Sequence, residues 1–264
     1  MLRVGSVPYL VGRPLDVGLD LEPGIEFFTD VPARLVAGLR DGSVDVALVS
    51  SIELFRRPGY SFLDGPCVAG ESTVTSVQVF LRRPVEECRR VALDPASRTA
   101  RALTQVVWPT EGEARPTFLD VPLGTNPRSV EADAWLRIGD AALREHLAPD
   151  ALPTFNPSRA WRERTGLPFV FAPWIAAPGV DLEALAPTLV RAAERGAGEL
   201  EALADRAAEA WGVPAEATRA YLTEECLYDP GTRTAEALFA YGRAAVERGL
   251  ADPEARPRAV PARP

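Results

Sequence analysis

Apolar residues in the first part of the chain fall in short runs divided by polar turns. Leu2-Arg3-Val4-Gly5-Ser6-Val7 reads as a strand, Pro8 to Leu15 as a loop turning into a short helix, and Ile25-Glu26-Phe27-Phe28 as a second strand. Asp30 is placed to cap a helix reaching Arg40, with Pro32 in its first turn and Gly42 just past its end, the usual asymmetry of start and stop signals. Val44-Asp45-Val46-Ala47-Leu48-Val49 is a nearly continuous apolar run, which predicts a parallel strand covered on both faces and completes a βαβ unit. Ser50 and Ser51 close it, and either can cap a short helix from Ile52 to Arg56.

The pattern then restarts. Val74 to Leu81 alternates small polar and apolar residues as a half-buried strand does, and Arg90-Val91-Ala92-Leu93 is a further strand. Asp94 to Thr99 leads into a helix from Ala100 to Val107, while Ala134 to Ile138 forms a strand that turns at Gly139-Asp140 into the helix carrying His146. Ser158 is expected to cap Arg159 to Arg164, and Leu167 to Trp174 to form a strand returning to the first set. From Asp181 the alanine-, glutamate- and arginine-rich sequence predicts three or four helices, broken near Gly196, Gly212-Val213-Pro214 and Asp229-Pro230-Gly231. The tail from Asp252 to Pro264 is rich in proline and arginine and is expected to fray.

Two successive sets of alternating strands and helices predict an α/β fold with two lobes. One lobe is expected to combine residues 1–82 with 167–264 and the other to span 83–166, so that two crossings form a hinge. In such sheets ligands gather beyond the carboxyl ends of the strands, at helix amino termini facing a crevice. Tyr9 to Arg13, Ser50-Ser51, Ser97-Arg98-Thr99 and Gly139-Asp140 occupy those places and together predict a small-anion site.

Composition narrows the chemistry. All 29 basic residues are arginine, which excludes a Schiff-base lysine and a lysine-containing phosphate loop and leaves arginine as the only side chain able to grip a carboxylate by charge. The net charge of −8 and the lack of a basic stripe argue against nucleic-acid binding. Cys67, Cys88 and Cys226 show no metal-type spacing and read as buried thiols, and a single histidine, His146, removes multi-histidine metal sites. No dinucleotide fingerprint, nucleophile elbow or membrane-length apolar run is visible, and Met1-Leu2-Arg3-Val4 enters strand-like sequence without a signal-peptide pattern. A cytoplasmic, cofactor-free and metal-free protein is expected, with a homodimer left open.

Several segments, in order and spacing, resemble the chorismate dehydratase family of the futalosine route to menaquinone. These are Val7-Pro8-Tyr9-Leu10 with Arg13-Pro14-Leu15, Val44 to Glu53, Ala92 to Thr99, Ile138-Gly139-Asp140, and Trp161 to Trp174. The resemblance covers roughly residues 2 to 250. It implies a type II periplasmic-binding-protein fold and a lyase that converts chorismate to 3-[(1-carboxyvinyl)oxy]benzoate and water. Where the family often has asparagine after its Tyr-Leu pair, this chain has Val11, which neither donates nor accepts a hydrogen bond, and Arg13 or Thr75 are the neighbours able to substitute.

With that substrate, Arg98, the Ser97 and Thr99 hydroxyls and the free amides of the following helix are expected to clamp one carboxylate, the alternative being an ordinary helix cap. Thr75 and Ser76 are candidates for the second carboxylate or the ring hydroxyl, or else simply outward residues of a strand. Asp140 is a candidate base or orienter of the leaving hydroxyl, against plain N-capping. Tyr9 and Trp174 can sandwich the ring or belong to the core. Arg13, Val11, Ser51 and Gly139 complete the expected site. Two rival readings are a solute-binding protein for a small carboxylate and the sister dihydroxynaphthoate synthase of the same route.

Overall fold

A computed structural model describes residues 1–109, 115–231 and 233–262 of the protein. The amino-terminal unit runs β1 (Leu2–Ser6), β2 (Ile25–Thr29), α1 (Pro32–Asp41) and β3 (Val46–Leu48), and β4 (Ser61–Gly70) follows. The chain then builds β5 (Val77–Leu81), β6 (Arg90–Leu93), α2 (Arg98–Val107), β7 (Thr117–Asp120), β8 (Ala134–Ile138), α3 (Gly139–His146), β9 (Thr154–Phe155) and α4 (Pro157–Thr165). It returns as β10 (Phe169–Ala176) and ends in α5 (Leu182–Ala197), α6 (Leu200–Trp211), α7 (Ala215–Ala220), β11 (Cys226–Leu227), α8 (Arg233–Glu247) and β12 (Arg258–Pro261). Among the described residues, no helix is long and apolar enough to cross a membrane.

Two sheets divide these strands. The first has the order β11-β4-β10-β3-β1-β2, with β12 beside β4; the second has the order β7-β6-β8-β5-β9. β1 lies between β2 and β3 and is parallel to both, whereas β10 enters antiparallel between β3 and β4. That central placement explains why Val46, Ala47 and Leu48 are all buried: a strand covered on both faces needs an unbroken apolar run. β5 already belongs to the second sheet, which therefore begins at Val77, ahead of the border expected at residue 82.

Each sheet has its own apolar core. Trp161, Trp174, Phe62, Phe169 and Tyr241 are fully buried in the first, and Val79, Val91, Leu136 and Trp108 form part of the second. The Trp161 indole of α4 packs edge-on against Phe169 of β10 and Tyr241 of α8, with ring centroids 5.8 and 6.1 Å apart, so α4 is anchored in the first core. Cys67, Cys88 and Cys226 are buried free thiols.

Several local expectations are corrected. Asp30 does not cap α1: Val31 occupies the N-cap, Pro32 takes the first helical position, and the Asp30 carboxylate accepts only from the Val31 amide. Neither Ser50 nor Ser51 caps the 3₁₀ turn Ser51–Phe55 with its side chain. In α4 the cap is Asn156, which accepts from the Arg159 amide at 2.9 Å, and Ser158 donates to Asn156 Oδ1 at 2.7 Å. Thr75 and Ser76 precede β5 rather than lying in it, and β5 is buried at four of its five positions, not half-buried. The tail does not fray at Arg258–Pro261, which pairs in parallel with Ser61–Asp64 and covers the outer edge of β4 that β11 leaves open.

Candidate active site between the two sheets

Strand ends and loops from both sheets meet around one cavity of about 610 Å³, including the part open to solvent. The first sheet contributes Val7, Tyr9 and Val11 after β1, Ser50 after β3, Val68 and Ala69 of β4, and Phe171 and Ala172 of β10. Ser76 at the crossing, Val77 of β5, Ser97 before α2, Ile138 of β8 and Gly139 of α3 face them. Among the described residues no charged side chain lines this space; its polar groups are hydroxyls, the Cys226 thiol and backbone.

Ser97 is the N-cap of α2, its Oγ accepting from the Ala100 amide at 3.1 Å. The amides of Arg98 and Thr99 in the first turn lack intrahelical acceptors by helix geometry, and the helix dipole adds positive potential. This end of the cavity thus presents the Ser97 hydroxyl at a helix amino terminus, the kind of place that suits an anion.

Gly139 and Tyr9 form the opposite corner. Gly139 sits at φ +64°, and a Cβ there would lie 3.1 Å from the Tyr9 ring, so both dihedral and close approach call for glycine. Its amide donates to the Ser76 carbonyl at 2.8 Å. Burial, with added repulsion from Asp94 and Asp140, pushes the Tyr9 phenol up to about 12, which keeps it a protonated donor at neutral pH.

Tyr9 and Ile138 also border a more polar depression that holds Asp94, Arg137, Asp140 and Arg144. Asp140 lies there and not in the cavity wall. Its Oδ1 accepts from the Leu10 amide at 3.2 Å, tying the loop after β1 to α3. Burial raises its carboxyl above the usual range, while the Leu10 amide, Arg144 and Arg13 oppose that shift. Asp94 accepts from the Ala96 amide at 2.9 Å and the Ile138 amide at 3.3 Å, and burial raises it too. It holds the ends of β6 and β8 in place.

Of the residues expected from sequence, Tyr9, Val11, Ser76, Ser97 and Gly139 are brought together around the cavity. The others are placed elsewhere. Arg98 turns away to Glu53, 3.7 Å from its carboxylate, and Glu53 is fully buried and also gripped by both arms of Arg40 at 2.6 and 2.7 Å. Thr99 is fully buried, its Oγ1 accepting from the Ile52 amide at 3.2 Å and lying 3.4 Å from Ser51 Oγ. Ser51 in turn donates to the Val170 carbonyl at 2.8 Å. Thr75 gives its amide and hydroxyl to the Glu225 carboxylate at 2.6 and 2.7 Å. Trp174 is fully buried in the first core. Arg13 contributes charge to Asp16 and Asp140 without lining the cavity.

Sequence reasoning placed Ser50 in a site loop but took Ser51 as the site residue, and it missed Phe171 as a cavity residue. Ser50 adjoins the serine that was chosen, and Phe171 lies on the strand selected for Trp174. Tyr221, whose hydroxyl donates to Ser76 Oγ at 2.8 Å, carried no signal because it lies in an alanine-rich helical stretch far from any strand.

Comparisons with known proteins agree with this architecture. The profile of a family described as menaquinone biosynthesis matches residues 2–247. A chorismate dehydratase from Thermus thermophilus is 33% identical over 230 residues, covering 78% of this chain and 84% of that one. Among solved structures, a protein from Archaeoglobus fulgidus superposes with a TM-score of 0.76 at 14% identity, covering 94% of this chain and 98% of the other. The alkanesulfonate-binding protein of Xanthomonas axonopodis, bound to MOPS, gives a TM-score of 0.68 at 16% identity over 98% of each chain. The fold is thus the two-lobed α/β fold of periplasmic binding proteins, and the chain belongs to the menaquinone biosynthesis family.

Proposed function

We propose that the protein is a hydro-lyase, a chorismate dehydratase that acts in the cytoplasm. It removes the ring hydroxyl and the hydrogen on the neighbouring ether-bearing carbon of chorismate as water, leaving 3-[(1-carboxyvinyl)oxy]benzoate. The observation that carries the reading is the cavity at the junction of the two sheets, in a chain that is 33% identical to a chorismate dehydratase. Its hydroxyls and helix amides suit carboxylate oxygens, and its apolar walls suit a six-carbon ring.

In this reading one carboxylate sits against Ser97 and the first-turn amides of α2, and Ser50 and Ser76 address the remaining oxygens. Val68, Ala172 and Phe171 hold the ring and exclude water. Tyr9, protonated at neutral pH, donates to the departing hydroxyl. Among the described residues no carboxylate or imidazole lines the cavity, and the substrate's enolpyruvyl carboxylate is assigned as acceptor of the ring proton. It reaches that proton through a six-membered arrangement of hydrogen, ring carbon, ether oxygen, vinyl carbon, carboxyl carbon and oxygen. Formation of a benzene ring makes the reaction strongly downhill, so the protein's task is mainly orientation.

The two lobes are assigned to residues 1–82 with 167–264 and to residues 83–166, except that β5 pairs within the second sheet and goes with the second lobe, the chain crossing at Thr75-Ser76. Purified protein incubated with chorismate is expected to form the aromatic enolpyruvyl ether, followed by chromatography and mass spectrometry against a no-protein control. Stoichiometric binding without turnover contradicts the enzyme and supports a solute-binding protein instead.

A further inference from the structure

We infer that Tyr221 is a positioning residue that fixes Ser76 as a hydrogen-bond donor into the cavity, making this position selective for an acceptor-only group such as a carboxylate. The inference rests on the reading of the cavity as the chorismate site. Tyr221 opens the π-helical turn Tyr221–Glu225 and is 1% exposed, so its hydroxyl must find a partner inside the protein. That partner is Ser76 Oγ, which accepts the phenolic proton at 2.8 Å.

Ser76 has little freedom left. Its carbonyl accepts from the Gly139 amide, and the residue before it is held through both amide and hydroxyl by Glu225, from the other end of the same turn. The two ends of one π-helical turn thus grip the two adjacent residues at which the chain passes between sheets. A serine hydroxyl has one proton to give and can otherwise accept. With Tyr221 occupying an acceptor position and Ser76 lining the cavity, the serine proton is directed at whatever binds there. A carboxylate oxygen satisfies it, whereas a group that must donate does not. Neutral serine thereby discriminates in favour of an anion, in a cavity that no cationic side chain lines among the described residues.

The test is a double-mutant cycle on chorismate turnover with wild type, Tyr221→Phe, Ser76→Ala and the double variant, each checked for folding by thermal unfolding. Removing Ser76 is expected to raise KM about tenfold, as loss of a hydrogen bond to a charged group does. Tyr221→Phe keeps the ring and is expected to raise KM about three- to fivefold with kcat within about twofold, since only alignment is lost. In the Ser76→Ala background the tyrosine substitution adds nothing, a coupling that a purely structural role of Tyr221 does not produce. Independent, multiplying effects, or a folded Tyr221→Phe enzyme with wild-type KM, overturn the positioning role while leaving the dehydratase intact. Wild-type protein that neither binds nor converts chorismate overturns the dehydratase reading and the positioning role with it.

Discussion

Two pairs of hydroxyl residues, drawn from the same two loops, have opposite fates. Ser50 and Ser97 face the cavity, while their neighbours Ser51 and Thr99 lie fully buried 3.4 Å apart, joining the turn after β3 to α2. Ser51 is further tied to β10 through the Val170 carbonyl, and Thr99 receives the Ile52 amide. Beside this dry joint, Glu53 is bracketed by Arg40 and Arg98. One side of each loop faces the cavity and the other forms the joint between the turn after β3 and α2. The difference teaches that the arginine in the Ser-Arg-Thr segment belongs to the joint, while the cavity wall takes one hydroxyl from each loop.

The comparison can be broken most severely from the cavity side. Gly139→Val forces a β-branched residue into a positive φ and against the Tyr9 ring; chorismate turnover is expected to fall about a hundredfold in steady-state assays. On the joint side, Glu53→Ala leaves two arginines without their shared carboxylate. Because both keep about a third of their side-chain exposure, the expected loss is about 2–3 kcal/mol in urea unfolding, with KM of the folded fraction changed less than about twofold.

Asp16 supplies a pH-dependent contrast on the turn that carries Tyr9 and Val11. Burial raises its carboxyl from 3.8 to about 6, against smaller opposing effects of Ser6 and Arg13. The folded protein therefore binds this proton more tightly than the unfolded chain. Its contribution to stability is greatest below about pH 4 and declines as pH rises to about 6. Asp16→Asn is expected to gain about 2 kcal/mol at about pH 8 and almost nothing at about pH 4, read from denaturation midpoints.

The smallest effects separate the two hydroxyl pairs themselves. Ser97→Ala and Thr99→Val are each expected to cost about 1 kcal/mol of stability, the first as a lost cap and the second as a lost buried hydrogen bond. Only Ser97→Ala is expected to raise KM. Arg98→Ala is expected to leave chorismate affinity within about twofold in calorimetry and to cost about 0.5 kcal/mol of stability, as a half-exposed ion pair does.

Much of the fold was legible because its signals are local. The apolar run at Val44–Val49, the Pro32 and Gly42 punctuation and the breaks near Gly212 and Gly231 all mark real boundaries. β12 was illegible because Arg258–Pro261 has weak strand character of its own and pairs only because β4 offers an unfilled edge. The loops of the site were legible too, since ligands gather where strands end and helices begin. Which residue of each loop faces inward was not. The 3₁₀ turn at Ser51–Phe55 rotates Ser51 away and leaves Ser50 exposed to the cavity. An irregularity in β10 between Val170 and Ala172 breaks simple alternation, so the consecutive Phe171 and Ala172 both border the cavity, while Trp174 fills the core.

The most direct test of the account is conversion of chorismate deuterated at the ether-bearing ring carbon, with product masses read by mass spectrometry. The account predicts 3-[(1-carboxyvinyl)oxy]benzoate without deuterium, lighter than the labelled substrate by one molecule of HOD. Unchanged chorismate, or a product that keeps the label, contradicts it.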